Sequence, residues 1–275
     1  MTRSGQGPAS GVDMADAATI REWEQAEVER SHAEAAAIPL ARLRPDEANT
    51  QRYLDPPATA PHPLEYAFHL LGDLRGRTVL DLGCGDGENL VPLVRRGADV
   101  IGLELSQALI DVAQIRLELH DLSGRVRFIT SSAHEIALPD ESVDVVLGIA
   151  ILHHLDLMRA AHEVRRVLKP GGRAVFQEPV RNSAVIKAAR RLIPYQHKDV
   201  SPFERPLTDP ELRQFASVFR SYEVRAFWLP FVNVALVVPR LGRYVKALSK
   251  VDRAVLRGAP FLESFASIRV FQVTK

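Results

Sequence analysis

The chain has 275 residues, of which 46% are hydrophobic and 25% are charged, values typical of a globular protein with one large domain and additions. A formal net charge of +1 gives no electrostatic reason to expect a nucleic-acid partner. The single cysteine, Cys84, excludes an intrachain disulfide and a cysteine-based zinc site. These features predict a soluble, cytoplasmic protein.

The N-terminal part of the chain reads as an extension of the main domain. Residues 1–12 are polar, without the apolar core of a signal peptide, and predict a disordered tail. Residues 13–62 predict a helix followed by a proline-rich linker or lid. The apolar residues of this helix recur at positions that share one face: Ile20, Trp23 and Val28.

A regular alternation of apolar strands and helices begins near Arg77. The strands "TVLDLG", "DVIGLE", "VRFIT", "VDVVLGIA" and "RAVFQE" are separated by helical segments, which predicts βαβ units and a parallel sheet. Two later strands, "YEVRAFWLP" and "IRVFQVTK", complete the pattern, the last of them antiparallel. Residues 63–275 are therefore predicted to form an α/β domain with a doubly wound, seven-stranded, mostly parallel sheet of the Rossmann-like type. A lid insertion is expected at about 180–262.

The stretch "VLDLGCGDGENL" places a glycine-rich turn directly after the first strand. Such a turn lies where parallel sheets bind ligands, at the carboxyl ends of their strands. The dinucleotide fingerprint G-x-G-x-x-G requires a glycine at the position of Glu88. Asp86 and Glu88 also oppose a phosphate group and favour a cation. An NAD-dependent oxidoreductase is therefore a disfavoured alternative.

Glu104 ends the second predicted strand, 21 residues after Gly83. An acidic side chain at this position can accept hydrogen bonds from both ribose hydroxyls of a nucleoside. The turn and this acid together favour a nucleoside with a positively charged appendage. S-adenosylmethionine (SAM) is such a molecule.

With these motifs in order, the chain resembles the class I SAM-dependent methyltransferases over roughly Tyr66–Glu178. The resemblance is to the small-molecule branch, which includes quinone-biosynthesis and natural-product enzymes. It is carried by "VLDLGCGDG", "VIGLELS", "ALPDESVDVVLGIAILHHL" and "VRRVLKPGGRAVFQEP". It implies SAM as cofactor, no metal, and methyl transfer to an oxygen, nitrogen or carbon atom of a small acceptor. A SAM-binding protein without catalysis, serving a partner, is the alternative from another class.

The resemblance also implies roles for individual residues. Asp81 and the Gly83 carbonyl would hold the methionine ammonium, Glu104 the ribose, and Leu105 would pack on adenine. Ser132 stands where the family commonly has aspartate, so that a hydroxyl replaces a carboxylate. The complete predicted cofactor set is Asp81, Gly83, Cys84, Gly85, Asn89, Glu104, Leu105, Ser132, Ala133, His134 and Ile149.

Three residues are predicted to act in catalysis. His153 and His154 follow the fourth strand, where the resemblance places the cofactor methyl group, and histidine can accept a proton near neutral pH. Their alternative role is to cap the loop by hydrogen bonds to the backbone. Glu178 ends the fifth strand at the same rim and is the second candidate base.

The C-terminal region favours an apolar acceptor. Several aromatic residues lie in or beside the irregular region that would cover the site: Tyr195, Phe203, Phe227, Trp228 and Phe231. The segment Arg240–Leu262 combines an apolar stripe of Leu241, Tyr244, Val245 and Leu248 with Arg240, Arg243, Lys246 and Lys250. It is expected either to pack on the domain as a helix or to contact a membrane or a lipid-like substrate.

Overall fold

The computed structural model describes residues 16–184 and 205–275. The tail predicted for residues 1–12 lies outside the described residues, as do Tyr195 and Phe203. In the described part of the chain a seven-stranded sheet has the order β3-β2-β1-β4-β5-β7-β6. Its strands are β1 Thr78–Leu82, β2 Asp99–Glu104, β3 Val126–Thr130, β4 Val143–Ile149, β5 Leu168–Pro179, β6 Ser221–Phe227 and β7 Ile268–Thr274.

The pairing of the strands confirms the predicted fold class. β1 to β5 pair in parallel, whereas β7 lies antiparallel between β5 and β6. Alternate residues of each strand point to opposite faces, so that Leu80 and Leu82 join one buried apolar cluster and Val79 joins the other. Helices cover both faces because both faces are apolar.

The helices in chain order are α1 Ala17–Ala37, α2 Leu40–Leu43, α3 Glu47–Leu54, α4 Pro63–Leu70, α5 Leu90–Arg95, α6 Gln107–Leu119, α7 Leu157–Val167, α8 Asp209–Ala216, α9 Pro230–Val237 and α10 Val245–Gly258. Within residues 16–184 and 205–275, three 3-10 turns span Leu152–His154, Pro239–Tyr244 and Pro260–Phe265. The insertion between β6 and β7 thus contains α9, α10 and two of these turns.

The predicted linker contains a helix. Asp46 begins α3 by accepting a hydrogen bond from the Asn49 N–H at 3.0 Å. Tyr53, in its last turn, is buried against Phe68, with ring centroids 5.1 Å apart. This part of residues 13–62 therefore packs on the domain and is not an open linker.

The point at which the strand order reverses, where a ligand site is expected, lies at β1. β1 pairs with β2 on one side and with β4 on the other, so the connections that leave these strands run in opposite directions. Parallel sheets form a crevice at such a point, outside the carboxyl ends of the strands. The glycine-rich turn begins there, at Gly83.

Candidate cofactor and active site

A cavity of about 250 Å³ lies at the carboxyl ends of β1 to β4. It is lined by eight residues of the predicted cofactor set, namely Gly83, Gly85, Glu104, Leu105, Ser132, Ala133, His134 and Ile149. His154 also lines it, whereas His153 and Glu178 do not. Asp81, Cys84 and Asn89 are the predicted cofactor residues outside the lining.

Backbone hydrogen bonds hold the glycine-rich turn against β2. The N–H groups of Gly83 and Cys84 both donate to the Leu103 carbonyl, at 2.8 and 2.9 Å. Gly85 has φ +51°, and a Cβ added there would meet no atom within 4 Å, so the backbone at Gly85 faces open space along the cavity. A Cβ on Gly87 would lie 2.8 Å from the Ala113 Cβ, which shows that this third glycine allows the turn to pack on α6.

Cys84 and Asn89 lie away from the cavity. Cys84 is buried below the turn, and burial raises the pKa of its thiol well above the usual value. Asn89 precedes α5 and lines a separate cavity that also contains Glu88 and Arg116. The structure therefore places Cys84 in the packing of the turn and Asn89 on its outer side.

Asp81 lies at the end of β1, with only 1% of its surface exposed. Neither carboxylate oxygen has a hydrogen-bond partner in the described part of the chain. Burial, with a contribution from the negative charge of Glu104, raises the pKa of Asp81 from 3.8 to about 7. A buried carboxylate without a partner fits a cationic ligand group, which would supply the missing charge and donors.

The acidic character of the site has a different source from the one predicted. Asp86 pairs with Arg116 at 2.6 Å, and this ion pair neutralises its charge. Glu88 is exposed and belongs to the separate cavity. The prediction that Asp86 and Glu88 make the turn favourable for a cation was wrong, because neither residue lines the cavity. The acids that line the cavity are Glu24, Glu27, Glu34 and Glu104, and Arg30, which also lines it, pairs with Glu27 and Glu34.

Glu104 occupies the end of β2 and is 8% exposed. One of its oxygens accepts from the Gly85 N–H at 3.1 Å, and the other from the N–H groups of Leu105 and Ser106 at 2.8 and 3.0 Å. Burial raises the pKa of Glu104, and these three N–H groups oppose the shift. The contacts fix the carboxylate at the cavity wall and leave lone pairs for hydroxyl donors.

Helix α1 closes one side of the cavity, which sequence reasoning did not predict residue by residue. Glu24 contacts the Ser132 hydroxyl and accepts from His134 Nδ1 at 3.1 Å. His134 Nε2 in turn accepts from the Asp156 N–H at 2.9 Å, so Nδ1 carries the ring hydrogen. Glu24 therefore brings a carboxylate to the position where Ser132 has none.

The two adjacent histidines each face a carboxylate. His153 Nδ1 lies 2.8 Å from Glu178 Oε2, and Glu178 Oε1 accepts from the N–H groups of Ile151 and Leu152 at 2.9 and 2.8 Å. Glu178 is fully buried, so these contacts hold the turn after β4. His154 Nδ1 lies 3.6 Å from Glu27 Oε2 of α1. The two imidazole centroids are 4.1 Å apart.

Comparisons with known proteins agree with this geometry. Residues 80–176 match the family described as a methyltransferase domain. The chain is 35% identical over 152 residues to the ubiquinone biosynthesis O-methyltransferase of Alkalilimnicola ehrlichii, which covers 52% of this chain and 61% of that relative. Residues 80–176 therefore form a class I SAM-dependent methyltransferase domain, and the chain spans less than two thirds of the length of this relative. SAM is the cofactor of this family, and the acidic cavity with its buried Asp81 fits a cationic cofactor.

Solved structures share the fold of this chain at low sequence identity. Geranyl diphosphate C-methyltransferase from Streptomyces coelicolor A3(2) aligns with a TM-score of 0.53 and 17% identity, covering 76% of each chain. The [4+2]-cyclase SpnF aligns with a TM-score of 0.50 and 22% identity, covering 74% of this chain and 76% of SpnF. The fold is therefore shared by proteins whose names give different reactions.

Proposed function

We propose that this chain transfers the methyl group of SAM to an oxygen, nitrogen or carbon atom of a small, apolar acceptor. The observation that carries the proposal is the acidic cavity at the ends of β1 to β4, behind which Asp81 is buried without a hydrogen-bond partner among the described residues. A sulfonium with an ammonium group has the charge that such a site favours. The matched relative covers 52% of the chain, so the acceptor is inferred from the cavity.

The residues around the cavity divide by the part of SAM that they would hold. Asp81 and the Gly83 carbonyl would bind the ammonium, and Glu104 the ribose hydroxyls. Leu105 and Ala133 would contact the adenine, with the Glu24 carboxylate as acceptor for its amino group. When bound, SAM supplies an electrophilic methyl group, and the protein contributes position and the exclusion of water.

His154 is the proposed general base because it is the histidine that lines the cavity. Glu27 lies beside its Nδ1 and would stabilise the imidazolium that forms when Nε2 accepts a proton. His153 and Glu178 do not line the cavity, and we assign them to positioning. Their contacts with the turn at 151–153 hold His154 at the cavity wall.

An apolar acceptor is favoured by the side chains near His154. Ile149, Ile151, Leu155 and Trp23 line the cavity there, and such surfaces favour apolar ligands. Phe227, Trp228 and Phe231, which were predicted to cover the site, do not line it. The names of the relatives, a ubiquinone biosynthesis enzyme and a geranyl diphosphate methyltransferase, support acceptors with apolar parts.

A methyl-transfer screen tests the proposal. The protein is incubated with SAM labelled at the methyl group and a metabolite extract of its native organism, and labelled products are separated by polarity. We expect a labelled, apolar small molecule that is absent with Asp81→Ala. Tight binding of SAM without any labelled product would instead support the second candidate, a SAM-binding protein without methyl transfer. This second candidate function is retained because the chain shares its fold with a protein named as a [4+2]-cyclase.

A further inference from the structure

The insertion between β6 and β7 has an unusual distribution of charge. No aspartate or glutamate occurs between Glu223 and Asp252. The later acids are Asp252, which is buried and accepts from the N–H groups of Trp228 and Leu229 at 3.0 and 2.7 Å, and Glu263. Among the basic residues of this insertion, Arg240, Arg243, Lys246 and Lys250 are exposed, lie in or beside its most exposed stretch, and form no ion pair with a described residue.

The same insertion contains an unbroken run of exposed residues, most of which are apolar. All nine residues from 236 to 244, "LVVPRLGRY", are exposed, and we call this run the tip. Val237 is 81% exposed, Leu236 46% and Tyr244 46%. Helix α9, which leads into the tip, buries only Val232 and Ala235. Single exposed apolar residues are common on protein surfaces, but a contiguous set marks an interaction surface.

The structure also corrects the stripe predicted for this segment. A 3-10 turn covers residues 239–244, and α10 begins only at Val245, so the four stripe residues do not share one helix. Leu241 is 37% exposed and Tyr244 is 46% exposed. The tip therefore projects apolar and basic side chains together.

The position of the insertion relates this surface to the cavity. Phe227 at the end of β6 and Pro179 at the end of β5 both pair with Ile268. β6 therefore ends at the same edge of the sheet as the parallel strands, and this edge holds the cavity. A planar surface that contacts the start of the insertion would lie on the side of the molecule that holds the cavity.

We propose that the tip and its four basic residues dock the protein on anionic lipid bilayers. Apolar side chains would enter the interfacial layer while the basic residues contact the headgroups. None of the described helices combines the length and the apolar character of a membrane span. A symmetric contact with a second copy would bring like charges together, and exposed valine and leucine gain nothing on a nucleic acid.

Vesicle co-sedimentation of the full chain tests this proposal, independently of the acceptor. Vesicles of phosphatidylglycerol and phosphatidylcholine are compared with vesicles of phosphatidylcholine alone, at low salt and at about 0.5 M salt, where charge interactions are screened. We expect binding to the anionic vesicles only, and its loss at high salt.

Two variants separate the contributions of charge and apolar contact. Replacement of Arg240, Arg243, Lys246 and Lys250 by glutamine should lower partitioning about tenfold or more, since each basic residue adds to binding. Val237→Ser with Leu241→Ser should also lower it. The matched controls, which should partition as wild type, replace Arg125, Arg127, Arg213 and Arg220 by glutamine, or Ile115 by serine; all five are exposed elsewhere.

Binding of S-adenosylhomocysteine (SAH) to each variant verifies the fold, because no tip residue lines the cavity. The proposal is overturned if wild type does not sediment with anionic vesicles at low salt, or if the control charge variant loses binding to the same extent. A wild-type dimer that the Val237→Ser and Leu241→Ser variant dissociates, without vesicle binding, would assign the tip to a second copy. Binding to an acidic protein without vesicle binding would equally overturn it.

Discussion

Asp81 shows at the scale of one residue how burial prepares a binding site. Its folded pKa of about 7 lies above its usual 3.8, so the ligand-free fold loses stability as the pH rises through this interval. Asp81→Asn should therefore raise the free energy of unfolding above pH 7, measured by denaturant titration. The same change should weaken SAH binding by about 1.5–3 kcal/mol, as for other charge-assisted hydrogen bonds. A variant that is less stable and binds normally would contradict this assignment.

The same residue predicts a pH dependence of cofactor binding. The ammonium of SAM favours the ionised carboxylate, so binding near pH 6.5 should release a proton, and affinity should fall as the pH drops below about 7. Calorimetric titrations in two buffers of different ionisation enthalpy measure the number of protons released. Uptake of protons, or an affinity that is constant from about pH 5.5 to 8, would show that another group holds the ammonium.

Glu24 is the carboxylate that replaces the one missing at Ser132. Glu24→Gln should weaken SAH binding about tenfold, because a charged acceptor becomes neutral. Glu22→Gln, an exposed change on the same helix, is the control. Ser132→Asp should restore affinity in the Glu24→Gln variant and weaken binding in wild type, where two carboxylates would meet. Equal affinities of all four proteins would exclude Glu24 from the cofactor site.

Substitutions of His154 and of His153 should differ in their effect on the rate of methyl transfer. His154→Ala should slow methyl transfer about 10²–10⁴-fold without loss of SAH binding, as expected for a general base. His153→Gln should reduce the rate less, since its role is to position the turn through Glu178. The rate should fall toward acidic pH in wild type and in the His153→Gln variant, and this fall should disappear with His154→Ala. A wild-type profile in that variant would move the role of base to another group.

At the scale of elements, local patterns predicted the sheet but not the cover of the site. β1 to β5, the glycine-rich turn and Glu104 were readable because each depends on neighbouring residues. The contact between Glu24 and Ser132 joins residues 108 positions apart, and the Asp86–Arg116 pair joins residues 30 apart. No spacing rule connects such residues before the fold is known. The acids of the cavity were therefore misassigned, and Glu24 and Glu27 of α1 were not among the predicted site residues.

Helix α1 should be the least stable wall of the cavity. Only Ile20 and Ser31 are buried in its 21 residues, so polar contacts such as Glu24 to His134 hold it. Amide hydrogen exchange in α1 should be faster than in α6, and it should slow on addition of saturating SAH. Exchange in α8, which supplies no residue to the cavity, serves as the reference and should not change. Unchanged exchange in α1 with SAH bound would contradict its role as a cover.

At the scale of the whole molecule, a net charge of +1 conceals a separation of charge. Four glutamates and one arginine, Arg30, line the cavity, while the exposed charges from residue 224 to residue 251 are basic. One surface therefore suits a cationic cofactor, and the other suits an anionic bilayer at the same edge of the sheet. The basic stretch is readable in the sequence, whereas the acidic lining depends on contacts between residues distant in sequence, and total composition shows neither.

Calorimetric titration of the wild-type chain with SAM, SAH and NAD tests the central claim most directly. The acidic cavity, with Asp81 behind it and Glu104 in its wall, predicts saturable binding of SAM and SAH at one site per chain and no binding of NAD. Addition of SAH before SAM should abolish the SAM signal, since both occupy the same site. Saturable binding of NAD, with no heat from SAM or SAH, would contradict the account.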